Sequence, residues 1–279
     1  MLVVLLSVLA AVAYAFAAVA QERLAAGGSS GPMRYVQPGF LFAVVLNAGG
    51  AGLHVLALRH GPLAVVQSFS TLTLIVALPM GAALVRRPVT SRQWRGAIAA
   101  ATGLAGILLT TDTGVPVEAL RNDEIPRVAA LSGAILASLA LTRTRLRRGR
   151  CLRLAAGSGM ASGVASVLAQ TQLLRMGNAS ADRVITVAVA GTALLIAAFA
   201  VTGLLLAQAA YRCGLGAPLA TLTIVNPVTA AAIGFVLLGQ GSTIGADSAV
   251  VAVAAAALAA YGVVLLATAE PGLPGPPST

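Results

Sequence analysis

The chain contains one passage twice. Residues 59–90, RHGPLAVVQSFSTLTLIVALPMGAALVRRPVT, return 153 positions later as residues 212–243, RCGLGAPLATLTIVNPVTAAAIGFVLLGQGST. Arg59 falls on Arg212, Gly61 on Gly214, Ala64 on Ala217, Gly81 on Gly234 and Thr90 on Thr243. Between them Ser68 and Ser70 fall on Thr221 and Thr223. A glycine-marked turn feeding a hydrophobic helix, present in two copies, restricts the fold to a duplicated architecture.

Composition says what kind of architecture. The chain is 58% hydrophobic and 9% charged, where ordinary soluble domains are about 25% charged. A soluble core cannot absorb that much apolar surface, so the chain reads as an all-α integral membrane protein whose first partner is the lipid bilayer. Its net charge of +10 comes from arginine alone, without lysine. Those arginines sit between apolar stretches, where they set orientation in the membrane, so no nucleic-acid partner is expected.

A spanning helix needs roughly 20 mainly apolar residues. That template gives nine spans, near 1–20, 39–58, 63–85, 94–111, 126–142, 154–174, 184–210, 216–238 and 247–268. The first has no basic n-region and is longer than a secretory h-region of about 7–15 residues, so it reads as a transmembrane helix. Residues 21–39 form the first loop, and 111–126 carry the acidic residues Asp112, Glu118, Asp123 and Glu124. Six arginines between Arg143 and Arg153 form a basic loop, and the Pro/Gly-rich tail is expected to be disordered.

Counting arginines on alternate sides gives thirteen on one side and five on the other. The positive-inside rule then places the N-terminus outside and the C-terminus in the cytoplasm. Cys151 and Cys213 show no CxxC or Cys/His spacing. They fall on the reducing side and are expected to be free thiols.

The duplication now acquires geometry. The second and third spans match the seventh and eighth, the fourth matches the ninth with Gly106 on Gly262, and the first matches the sixth with Gln21 on Gln170. Matching spans are five apart, an odd number, so the copies enter the membrane in opposite orientations. The expected organisation is a first repeat over 1–111, an acidic loop, connector helix and arginine-rich loop over 112–153, a second repeat over 154–268 and a tail over 269–279. Two inverted-topology four-helix repeats joined by a connector are a transporter signature, with the substrate path at their interface.

Polar side chains inside spans are costly in lipid and mark candidate path positions. Asn47 and His54 lie seven residues apart on one face of the second span, beside Gly49, Gly50 and Gly52. They suit either a ligand path or a helix–helix hydrogen bond. Gln67, Ser70 and Thr71 share a face of the third span, and Thr223, Asn226 and Thr229 a face of the eighth. Thr73 stands where Asn226 does in the other copy. Pro79 and Pro227 are helix breaks that free backbone carbonyls. Gln208, late in the seventh span, and Gln21 and Gln170, at matching helix ends, are further candidates.

No Asp or Glu lies near the middle of any span. A divalent-cation site generally needs a carboxylate, so no metal site is assigned. GxSxG, GK[ST] and HExxH motifs are absent from the sequence, so neither an enzyme nor a cofactor is expected.

With the repeat and spans in place, the chain resembles the drug/metabolite transporter (DMT) superfamily and its EamA-like members. The resemblance is carried by Ala57-Leu58-Arg59-His60-Gly61-Pro62 running through Gly103 to Leu109, and by Tyr211-Arg212-Cys213-Gly214 running through Gly262 to Leu266. The usual Gly-Glu-Arg loop signature stands here as Arg86-Arg87 and Gly239-Gln240. Nine spans and one connector are most similar to the layout of the magnesium transporter NIPA branch. The resemblance implies alternating-access secondary transport of a small-molecule substrate, with magnesium transport implied by the NIPA branch. A non-transporting membrane scaffold acting through the arginine-rich loop is the alternative of a different class. An alanine-rich, lysine-free chain suggests a GC-rich bacterium and its plasma membrane, and Gly/Ala-rich faces would allow a homodimer.

Overall fold

The computed structural model describes residues 1–27, 37–60, 66, 69, 72–84, 86, 88–110, 119–142, 146–177, 187–237 and 246–269. Nine α-helices lie among them: α1 Leu2–Ala26, α2 Pro38–His60, α3 Leu72–Leu84, α4 Ser91–Thr110, α5 Glu124–Leu141, α6 Arg147–Gly177, α7 Val187–Ala210, α8 Gly216–Leu237 and α9 Ala246–Ala269. A 3₁₀ turn, Tyr211–Cys213, joins α7 to α8. Gly214 ends that turn at φ 102°, in a region that glycine alone enters freely. In lipid a backbone amide has no water to bond, so an apolar stretch of this length closes its hydrogen bonds internally as a helix. Six of the described helices are long and apolar enough to cross a membrane. The protein is an all-α membrane protein.

Two helices overrun the bounds expected from hydropathy. α1 continues through Gln21, Glu22 and Arg23 to Ala26, where a loop was expected from Gln21. Its 25 residues span about 38 Å at about 1.5 Å per residue, against a hydrocarbon core of about 30 Å. α6 begins at Arg147, so Cys151 and Arg153 are helical instead of lying in the basic loop. Arginine, glutamine, glutamate and leucine are all good helix formers, and leaving the apolar slab does not unwind a helix made of them.

Alanines crowd the interior beside a few leucines such as Leu168 and Leu266, while many large apolar side chains face outward. Ala15, Ala43, Ala57, Ala77, Ala155, Ala161 and Ala220 are fully buried, whereas Val45, Leu194 and Val253 are about 70% exposed. In lipid, association rests on close van der Waals packing instead of apolar burial, which favours this arrangement.

The α4–α9 seam shows the method at its tightest. A Cβ on Gly103 would lie 2.4 Å from the amide nitrogen of Ala259, and one on Gly262 the same distance from that of Ala100. Toward one end of the seam Gly106 rests on Ala255; toward the other Gly96 rests on Leu266 and Arg92 donates to the Thr268 hydroxyl at 2.8 Å. Contacts that rise along α4 fall along α9, so the two helices are antiparallel. With Gly106 matched to Gly262, Gly103 matches Ala259, and these mates meet each other. A pseudo-twofold axis therefore passes through Gly103 and Ala259, as inverted repeats require.

The other mates pair the same way. Gly50 of α2 lies under the Tyr14 ring of α1; its mate Gly203 of α7 lies against Ser158 and Ser162 of α6. One buried cluster draws Ala18, Val19, Leu74, Ala77 and Ala100 from the first half together with Ala207, Tyr211, Leu219, Ala220 and Leu266 from the second. A second cluster packs the connector α5, through Ile125, Val128 and Leu136, against α6 and α7.

Candidate functional site

Two helices carry an internal proline, α3 at Pro79 and α8 at Pro227. Each proline withholds the N–H that would bond the carbonyl four residues earlier, so Ile75 and Thr223 lose that partner. α3 and α8 are repeat mates, and both feed the cluster shared between the halves. Thr73 is buried on α3, beside Leu74. Thr223 and Asn226 are half-buried on α8. The Asn226 backbone packs closely on α6, where a Cβ on Gly163 would come within 2.6 Å of its carbonyl oxygen. Gln67, Ser70 and Thr71 lie outside the described residues.

Asn47 and His54 sit elsewhere. They flank Gly50 on the face of α2 turned toward α1, and both are half-buried. α2 packs on α1 and has no extended interface with α8, so the structure does not gather these two with Asn226. Gly49 and Gly52 meet no neighbour within 4 Å. Of the small residues beside Asn47, it is Gly50 that makes the close helix contact.

The polar residues that the fold does bring together lie at the arginine-rich end, where α1, α3, α7 and α8 converge. Gln208 of α7 donates through Nε2 to the backbone carbonyl of Gln21 on α1, at 3.1 Å. Both side chains are almost fully buried. Neither Oε1 accepts a hydrogen bond among the described residues. A buried acceptor left in that state costs about 1–3 kcal/mol. Two residues on, Arg23 donates to the Gly81 carbonyl at 3.0 Å, one of the last four carbonyls of α3 that its own helix leaves unpaired. Glu22 lies 3.7 Å from the Arg23 guanidinium.

At the same end Cys151 of α6 is bonded to Cys213 of the turn after α7, with 6.2 Å between their Cα atoms. The expectation of free thiols is therefore corrected. The missed step was the extension of α6 to Arg147, which carries Cys151 down beside the turn. Arg147 adds a bond to the Arg212 carbonyl at 3.4 Å.

A groove of about 350 Å³ opens between α5 and α7, lined by Gly133, Leu136, Ala137, Ala198, Phe199 and Thr202. Its lining is apolar, and the Thr202 hydroxyl turns back onto the Ala198 carbonyl. Among the described residues no group of three or more His, Cys, Asp or Glu is placed to hold a metal ion. No family model, curated protein or solved structure matches the chain.

Proposed function

We propose that this protein is a multi-pass membrane transporter of the DMT type, carrying a small solute or metabolite across the plasma membrane by alternating access. The observation that carries the reading is the antiparallel α4–α9 seam with its mates meeting at Gly103 and Ala259, because inverted repeats around a midplane site are how many secondary transporters are built. Thr73, Thr223 and Asn226, on the two proline-bearing mates α3 and α8, are the path residues this reading favours. Gln67 and Thr71 join them by sharing a face of the third span with Ser70, the mate of Thr223, while Asn47 and His54 lie on the face of α2 turned toward α1. The NIPA-like magnesium reading lacks a carboxylate near the middle of any span.

The arginine-rich end is the proposed cytoplasmic face, on the count of thirteen arginines against five. The Cys151–Cys213 bond stands at that same end, and the cytoplasm ordinarily keeps such pairs reduced. The redox state in cells tests the orientation: thiols open to alkylation at harvest agree with a cytoplasmic placement of that end, and a disulfide already present there would reverse the orientation.

The test of transport is solute flux into proteoliposomes, screened over amino acids, sugars and amphiphilic cations, for wild type and Asn226→Ala. Flux of at least one class that falls several-fold in the variant is expected. Unchanged flux of every accepted solute would remove Asn226 from the path, and no flux of any class would favour the scaffold reading.

A further inference from the structure

The contacts between the halves at the arginine-rich end differ in kind from those that hold each half together. In the first half Arg23 ties α1 to α3 by its bond to the Gly81 carbonyl. In the second, Cys151–Cys213 and the Arg147–Arg212 bond tie α6 to the turn after α7. Where α1 and α3 of one half meet α7 and α8 of the other, no covalent staple or ion pair is seen among the described residues; a buried apolar cluster joins Ala18 and Val19 to Ala207 and Tyr211, with two further contacts beside it. Gln208 bonds the Gln21 carbonyl. Leu215, at the start of α8, fills the space over Gly81 of α3, where an added Cβ would lie 2.8 Å from its Cδ2.

The glutamine link has an unusual balance. It consists of one hydrogen bond, and it leaves two carboxamide oxygens buried and unpaired among the described residues. Those oxygens lose water without gaining a donor, and parting the helices would hydrate both. An arrangement of that kind holds two surfaces together without committing them.

We propose that Gln21 and Gln208 are the latch of a gate at the arginine-rich end, and that the halves on either side move as stapled jaws. The proposal rests on the transport reading, but it makes a claim about opening that needs no substrate.

The reporter is Ala18→Cys, 4% exposed and one helical turn from Gln21 in the cluster shared by both halves. Its alkylation by a water-soluble maleimide is followed on purified, oxidised protein in lipid nanodiscs. Gln208→Glu places in the contact a carboxylate that is hydrated only when the end is open, and is expected to raise the labelling rate at least tenfold. Gln208→Met keeps the volume but removes the Nε2 donor of the link's one hydrogen bond, and with the latch gone is expected to raise the rate at least threefold. Asp123→Cys, exposed near the start of α5, should label at one rate in every background and so fixes the reagent's intrinsic rate, while a monodisperse peak on size exclusion certifies folding. If Gln208→Glu fails that control, the methionine arm decides. Rates unchanged in the variants, as a pair shut around a resident water would give, overturn the proposal. A change in labelling without flux of any solute would retain the gate and reject the transporter, whereas flux with unchanged labelling would do the reverse.

Discussion

Two of the seams that join the halves are built on opposite principles. Along α4–α9 backbone lies against backbone, with glycine at Gly96, Gly103 and Gly262 where any side chain would intrude. Between α1 and α7 two carboxamide side chains are packed away with neither Oε1 accepting a hydrogen bond among the described residues. The first seam gains dispersion contacts that lose roughly a quarter to a half of their attraction if the helices separate by about an ångström. The second would give up the apolar packing of Ala18 and Val19 on Ala207 and Tyr211, but would regain water at two buried carboxamide oxygens. The difference assigns roles: the glycine seam carries the pseudo-twofold axis and stays shut, while the glutamine seam is the removable one.

The comparison breaks most decisively at its tight side. Gly103→Leu must drive α4 from α9, because its Cβ would lie 2.4 Å from the Ala259 nitrogen and 2.6 Å from the Ala255 carbonyl oxygen. Overpacking of this sort is expected to cost about 3 kcal/mol, read as a shift in the SDS unfolding midpoint and loss of the monodisperse species on size exclusion. A variant as stable as wild type would mean that the seam is looser than described.

A smaller effect is expected from Cys151→Ser. The bond closes a separation of 62 residues, and removing such a link typically costs about 2–4 kcal/mol in soluble proteins. Here the helices stay inserted when packing is lost, so the unfolded chain is already confined and the low end, about 2 kcal/mol, is expected. The same titration on reduced wild-type protein should give the same midpoint; a midpoint that ignores reduction would show that α6 and the Tyr211–Cys213 turn hold without the staple.

The smallest effect should come from Gly52→Ala. No neighbour lies within 4 Å of the position, so a shift within about 0.5 kcal/mol is expected. Set beside Gly103→Leu, it separates the cost of losing a helical glycine from the cost of losing a close approach. A large loss of stability in Gly52→Ala would place an unrecognised partner on that face of α2.

How much of this was legible in the sequence follows the same physics. The helices were, because an apolar stretch in lipid has one way to satisfy its backbone. Their mates were too, since Gly81 over Gly234 and Gly61 over Gly214 can be matched without a structure. That Gly103 and Ala259 are mates follows from the matching of Gly106 to Gly262; that they touch is seen only in the structure. What stayed hidden was which face of each helix meets a partner. On a helix apolar all round, such as α2 with Val45 and Phe42 outward and Ala43 and Ala57 inward, no amphipathic stripe marks the buried side. That is why Asn47 and His54 read equally as path residues or as a helix–helix contact, and only the structure shows that their face is turned toward α1. The link between Cys151 and Cys213 was hidden for another reason. The arginines before Arg153 looked like the end of a span, although arginine prolongs a helix readily once it has left the hydrocarbon.

The central claim is that the two copies of the repeated passage stand in the membrane with opposite orientations. It is tested most directly at two mates, Arg59→Cys and Arg212→Cys, both exposed at helix ends, each in a chain with Cys151 and Cys213 replaced by Ser. A membrane-impermeant maleimide applied to intact cells should label the cysteine at 59 and leave that at 212 unlabelled until the membrane is permeabilised. Labelling of both from one face would contradict the account.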